Sequence, residues 1–363
     1  MVTIKEIAKA VGVSSATVSR VLNYDATLSI SAPKRKAIIE TAEALNYATP
    51  RNRNRSAAAS LPPGASPVAG TIRIALAHCL SLAQELADPY YVGVRLGIEN
   101  RCQALKVDVV RVYHADDLPD AALLQGTAGV IAVGKHFDNE ISWLQENSRC
   151  LVFADVGPTS DLFDCVENDL RNAMLRLLDS AHAAGYRRIG FVGGRESESN
   201  KVHPLGERRY AAYVEWMTGK GLYDPALCRL DRLCFESGYE LTQALLTLDD
   251  PPDLLVTAND NMAIGAYRAI REKGLSIPGH IGVASFNDIP AAQFLAPPLT
   301  TVKIHAERVG EIAVDLLLEQ IAGRDFVKKV TLSTEMIWRE SCRAPENEPK
   351  RRSFLLERTG ISP

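Results

Sequence analysis

The sequence predicts an all-α helix-turn-helix head joined to an α/β body with two doubly wound parallel sheets. Three observations carry that expectation. Three short amphipathic helical patterns with an early glycine turn fill residues 1–47, residues 48–70 lose all periodicity, and strand–helix alternation runs over 71–340.

The head begins with a capping box, Thr3-Ile4-Lys5-Glu6, followed by Ile4, Ile7, Ala8 and Val11 at helical spacing. Gly12 supplies a tight turn. Ser14 then caps a second helix whose apolar side is Val18, Val21 and Leu22 and whose polar side is Ser15, Ala16, Ser19, Arg20 and Asn23. A third helix spans about 32–45, with Ser31 as cap, Pro33 in its first turn, and Ile38, Ala42 and Leu45 facing inward. Short outward side chains let a backbone approach another surface closely, as a helix entering a DNA major groove must. The same pattern also suits a three-helix bundle with no nucleic-acid role. Charge favours DNA: nine basic against four acidic side chains give residues 1–55 a net +5, in a chain that is −3 overall.

Residues 48–70 read as a linker. Arg51, Arg53 and Arg55 make its start basic, and Pro62-Pro63-Gly64 stiffen its end. In the body, apolar runs predict strands over 72–77, 107–112, 129–133, 151–154, 189–192, 254–257 and 281–285. Amphipathic stretches predict helices over 90–105, 169–184, 207–220, 238–247, 261–272 and 305–322. This is more chain than one core organises, so two sheets are expected, with ligand sites beyond the carboxyl ends of strands. Residues 341–363 are polar, lack leucine heptads and are expected to be a disordered tail.

Composition narrows the function classes. At 46% hydrophobic and 23% charged, the chain reads as soluble and globular. No apolar run approaches the ~20 residues of a membrane span, and Lys5, Glu6 and Lys9 interrupt any signal-peptide core. Seven scattered cysteines without a CxxC suit free thiols in a reducing cytoplasm. GxSxG, P-loop and HExxH motifs are absent, and the seven histidines lack metal-ligand spacing. Neither catalysis, nor a metal, nor a cofactor is expected.

Longer motifs carry a resemblance. Thr3–Ala8, Val11-Gly12-Val13-Ser14, Thr17-Val18-Ser19-Arg20-Val21-Leu22-Asn23 and Leu45-Asn46-Tyr47 together resemble the head of LacI/GalR-family repressors. The body agrees through Gly185-Tyr186-Arg187-Arg188-Ile189-Gly190, Ala258-Asn259-Asp260 and Pro297-Pro298-Leu299-Thr300-Thr301-Val302. Asp88-Pro89-Tyr90-Tyr91 and Phe286-Asn287-Asp288 look most like the evolved-β-galactosidase repressor type. The resemblance implies a homodimer on a near-palindromic double-stranded operator. It also implies a body with the fold of periplasmic sugar-binding proteins and a small sugar effector, a galactoside, in its cleft. By the same match, Ser15 and Ala16 read base edges with Arg20, while Ser14, Thr17, Ser19 and Asn23 contact phosphate. Hydroxyls and amides suit phosphate oxygens, and arginine suits guanine. The family's leucine wedge has no clear counterpart, because Ser56-Ala57-Ala58-Ala59 stands there and Leu61 precedes two prolines. Arg51, Arg53 and Arg55 are the linker's candidate DNA contacts, or a solvated charged stretch.

In the cleft the resemblance implies Tyr90, Asp155, Arg209, Asn259 and Asn287. Carboxylate, amides and guanidinium pair with sugar hydroxyls, and a tyrosine offers a ring face. Each also has a structural reading. Asn259 and Asn287 can be helix caps, Asp155 a turn residue and Tyr90 core. The family's aromatic before Ser237-Gly238-Tyr239 falls in register on Leu233, or on Phe235 with a gap. A corepressor-type regulator that binds DNA only when loaded, for instance with a purine, and a sugar-binding sensor are the alternatives.

Overall fold

The computed structural model describes residues 8, 9, 11–22, 30, 31, 34, 38 and 41 of the head. In the body it describes 72–113, 118–158, 160–195, 197, 198, 201, 202 and 207–345. The chain divides into two compact units, Met1–Gly70 and Thr71–Pro363.

In the head, Ala8, Lys9 and Val11 are helical, and Gly12 turns the chain at φ +68. Val13 N donates to Ala8 O at 3.0 Å across that turn. Helix α1 (Ser15–Leu22) follows, and residues 34, 38 and 41 are helical again. Ala8, Val18, Val21 and Ile38, drawn from all three helical patterns, are buried. The capping box at residues 3–6, the ends of the third helix, Asn23 and the linker arginines lie outside the described residues.

The body runs β1 (Arg73–His78), α2 (Leu82–Ala87), α3 (Pro89–Leu105), β2 (Asp108–Tyr113), β3 (Val130–Val133), α4 (Asp138–Asn147), β4 (Leu151–Ala154) and β5 (Asp164–Asn168). It continues through α5 (Leu170–Ala183), β6 (Ile189–Gly194), the ribbon β7 (Ser197–Glu198) and β8 (Lys201–Val202), α6 (Arg208–Gly219), β9 (Cys228–Asp231), α7 (Phe235–Leu245), β10 (Leu254–Thr257) and α8 (Asp260–Glu272). The last elements are β11 (Gly282–Asn287), β12 (Thr300–Lys303), α9 (Ala306–Ile321), β13 (Lys329–Leu332) and β14 (Glu335–Ile337).

Two six-stranded sheets result, ordered β13-β5-β4-β3-β1-β2 and β14-β12-β11-β10-β6-β9. All pairings in them are parallel except β12 with β14. Strands β3, β4 and β10 are buried at every position, as expected of strands covered on both faces. In the first sheet Ile131, Val133, Val152 and Ala154 join the larger core with α3 and α9. Alternate residues Val130, Ala132, Leu151 and Phe153 form a second core with Leu144 of α4.

The chain crosses between the sheets three times, after β5, between β12 and α9, and between β13 and β14. The crossings are tied together: His305 N donates to Asn168 Oδ1 at 3.0 Å, Asp169 N to Leu332 O at 2.9 Å, and Arg176 to Thr334 Oγ1 at 2.7 Å.

Residues 341–345, expected to belong to a disordered tail, are part of the fold. Ser341 is fully buried, donates to Val283 O at 2.6 Å and accepts from Thr300 N at 2.7 Å. The Arg343 guanidinium lies 4.4 Å over the Tyr186 ring. A polar sequence hid this because Ser341 is itself buried with its hydroxyl paired, and Arg343 packs on an aromatic ring. Residues 346–363 lie outside the described residues.

Candidate functional site

In the head, Ser14 does what its position ahead of α1 suggests: its Oγ accepts Thr17 N at 3.1 Å and bonds Thr17 Oγ1 at 2.8 Å. With Val18 and Val21 turned inward, Ser14, Ser15 and Arg20 are exposed and Thr17 is half-buried. The outer surface of α1 thus presents hydroxyls and a guanidinium, groups that bond phosphate oxygens and base edges. The side chains of Ala16 and Ser19 lie outside the described residues.

In the body, polar groups collect beyond the carboxyl ends of strands in both sheets, where open α/β sheets bind ligands. Asp155 follows β4 at φ +85. Its carboxylate accepts the Tyr90 hydroxyl at 2.5 Å and the Tyr91 hydroxyl at 3.0 Å. Burial raises the Asp155 pKa, opposed by the two tyrosines and then by Arg209. Tyr90 is 8% exposed, packs edge-on against Tyr91, and also receives Asn168 Nδ2 at 3.3 Å. Its ring therefore serves as core, and its hydroxyl is the group held at Asp155. Asp88 caps α3 by accepting Tyr90 N at 3.0 Å, and burial pushes its carboxyl up to about 6.

From the second sheet comes Arg209, the second residue of α6 and 8% exposed. Glu207 caps that helix and accepts Arg209 Nε at 2.6 Å, while a guanidinium nitrogen donates to Ala258 O. The guanidinium also sits 5.7 Å from the Phe286 ring centroid. Burial opposes its charge, yet Glu207 and then Asp155 raise its pKa above the ordinary value. Asn259 is the N-cap of α8, accepting Met262 N at 2.9 Å, and its Nδ2 donates to Leu233 O at 3.4 Å. Asn287 caps nothing: it ends β11 at φ +114, and the next helical turn, Pro290–Phe294, starts after Ile289. Among the described residues its side chain has no hydrogen-bond partner. Leu233 packs over Gly194 at the end of β6, whereas Phe235 lines an outer groove with Tyr239, Ile264 and Arg268. The in-register residue is the one near the strand ends.

Four residues outside the sequence-derived set join the site. Asp88 and Tyr91 flank Tyr90 in the Asp-Pro-Tyr-Tyr segment, where an acid before proline already signals a cap. Arg208 reaches Glu167 of β5 at 2.6 Å, and Asn261 Nδ2 donates to Ala87 O at 3.2 Å, both bridging the subdomains. No periodicity marks such contacts. Among the described residues, no cluster of three or more His, Cys, Asp or Glu is placed to hold a metal ion, and no helix is long and apolar enough to cross a membrane.

A helix-turn-helix head with a body of two parallel-sheet subdomains and a polar cleft defines a ligand-responsive DNA-binding regulator. Residues 3–50 match the family described as bacterial regulatory proteins, lacI family, and residues 178–342 match the periplasmic binding protein-like domain. The HTH-type transcriptional repressor MelR of Bacillus subtilis (strain 168) is 32% identical over 348 residues, covering 94% of this chain and 98% of that protein. The lactose operon repressor of Rhizobium radiobacter is 62% identical over 110 residues, 30% of this chain and 97% of that sequence. A structure of the lac repressor dimer bound to operator and the anti-inducer ONPF superposes with TM-score 0.66 at 24% identity, covering 94% of this chain and 98% of that one. The chain belongs to the LacI family of bacterial transcriptional regulators.

Proposed function

We propose that this chain is a cytoplasmic, homodimeric, non-enzymatic repressor of carbohydrate-utilisation genes, released from its operator by a galactoside bound in the body cleft. The observation that carries the reading is the placement, beyond the carboxyl ends of strands in the two sheets, of Asp155 held by Tyr90 and Tyr91 and of the buried Arg209 held by Glu207, with Asn259 and Asn287 at the ends of β10 and β11. Carboxylate, guanidinium and amide together match a ligand rich in hydroxyls. The relatives add direction, since one is named a lactose operon repressor. In the head, Ser15, Ala16 and Arg20 read base edges, while Ser14, Thr17, Ser19 and Asn23 hold phosphate. Arg51, Arg53 and Arg55 add linker contacts, and residues 1–47, 48–70 and 71–340 act as reader, linker and sensor. A galactoside that prefers one subdomain arrangement shifts the population of both, and a coupling of roughly 1–3 kcal/mol suffices for a switch.

The test is fluorescence anisotropy on a duplex selected in vitro by the protein itself, titrated with galactosides. Weakened DNA binding is the expected result. No response to any galactoside removes the inducer reading, and tightened binding identifies a corepressor instead.

A further inference from the structure

Most polar side chains of the cleft have a partner within the protein and keep further lone pairs or N–H groups for a ligand, and Asn287 has no partner among the described residues. Both Asp155 oxygens accept tyrosine hydroxyls, and both polar atoms of Asn259 are engaged. Asp260 accepts Ile289 N and Thr301 Oγ1, each at 2.8 Å. Asn261, the second residue of α8, differs. It is 4% exposed, and its Nδ2 donates across the cleft to Ala87 O at 3.2 Å. Its Oδ1 is buried and receives no hydrogen bond from any of the described residues. The amide cannot be turned round, because Ala87 O is an acceptor and needs the NH2 facing it. A buried acceptor without a donor is costly, and it is relieved by a ligand that brings one. The residue facing Asn261 is the last of α2, immediately before Asp88, Pro89 and Tyr90.

We propose that Asn261 is a further ligand-contacting and specificity-determining residue, whose Oδ1 accepts from a ligand hydroxyl while its Nδ2 holds the opposite subdomain. The proposal rests on the effector-cleft reading above and extends it. One amide then senses occupancy on one side and closure on the other. A ligand with a donor at that point favours the closed arrangement, and a close analogue lacking the donor leaves the acceptor unpaired.

The experiment is calorimetric titration of the full-length chain with methyl β-D-galactopyranoside, its monodeoxy derivatives, lactose and hypoxanthine. The variants are Asn261→Ala, Asn261→Leu and Asn261→Asp, each checked by its melting temperature. In the wild type, one monodeoxy sugar binds weaker than its parent by about tenfold, about 1.4 kcal/mol. Asn261→Ala, or Asn261→Leu should the smaller residue not fold, loses that discrimination. Asn261→Asp keeps the acceptor and loses the donor to Ala87 O, so it binds all the sugars more weakly while retaining the discrimination between them; a purely structural asparagine would leave the discrimination unchanged in all three. A folded Asn261→Ala protein that discriminates like the wild type overturns the role of Asn261 and leaves the galactoside reading standing. If hypoxanthine binds and the sugars do not, the galactoside reading falls, and Asn261 stands provided its alanine variant weakens hypoxanthine about tenfold. Binding of none of these probes overturns both.

Discussion

A left-handed backbone at a residue bearing a side chain costs of order 1–3 kcal/mol, and two polar residues of the cleft bear it: Asp155 at φ +85 and Asn287 at φ +114. Asp155 directly follows the buried strand β4 and Asn287 ends β11, which is why both were visible in the sequence as polar residues closing an apolar run. Their geometry and partners were not visible, because Tyr90, Tyr91 and Arg209 reach them from distant segments. Asp88 gives a test at this scale. Burial lifts its carboxyl from 3.8 to about 6, so the folded protein holds that proton more tightly than the unfolded chain does. Its contribution to stability is complete below about pH 4 and is lost as pH rises through 6. Asp88→Asn keeps the cap on Tyr90 N and should melt a few degrees higher than the parent near pH 7.5. That gain should vanish near pH 4. Thermal melts at the two pH values check it, and equal melting near neutrality would refute the burial argument. In the head, Ser14→Ala removes the oxygen that Thr17 N uses, and should cost roughly 1 kcal/mol in chemical denaturation.

Elements in both subdomains pack on paired glycines. A methyl at Gly97 of α3 would strike Glu307 O of α9, and one at Gly310 would strike Val94 O. Gly265 of α8 and Gly238 of α7 repeat the arrangement against Phe235 O and Met262 O. Helix propensity alone predicts that Gly265→Ala stabilises by about 1 kcal/mol. The backbone contact reverses the sign, and overpacking should destabilise by roughly 1–3 kcal/mol, read as an earlier urea midpoint. Legibility at this scale followed burial. The runs at Val130–Val133, Leu151–Ala154 and Leu254–Thr257 were evident because covered strands are continuously apolar. Strands β5, β9, β12, β13 and β14 were missed, being three to five residues long and carrying Asp164, Asp231, Lys303, Lys329 and Glu335. Helix α4 was also missed, its only fully buried residue being Leu144. Helix α2 escaped too, although its capping box Ser81–Gln84 was in the sequence to be read.

For the whole molecule, closure of the cleft is held by a few polar bridges. Arg208 and Glu167 form one, with side chains 40% and 23% exposed, so solvent screens it and its worth is small. Glu167→Gln should leave folding unaffected and weaken ligand binding by no more than about fivefold. Small-angle scattering of the ligand-free variant should show a larger radius of gyration. An unchanged radius with unchanged affinity would mean that this pair does not favour closure.

The three crossings also fix an order of events during synthesis. Helix α9, which covers one face of β3, β4 and β5, and β13, which completes that sheet, are encoded after almost the whole of the second subdomain. A growing chain that has just emerged past β5 therefore carries an apolar sheet face covered only in part by α3, with Ile131, Val152 and Val166 awaiting Leu317 and its neighbours. The first-made subdomain is the last to be finished. Its burial in the cell depends on the ribosome reaching residues that belong, in sequence, to the far end of the chain.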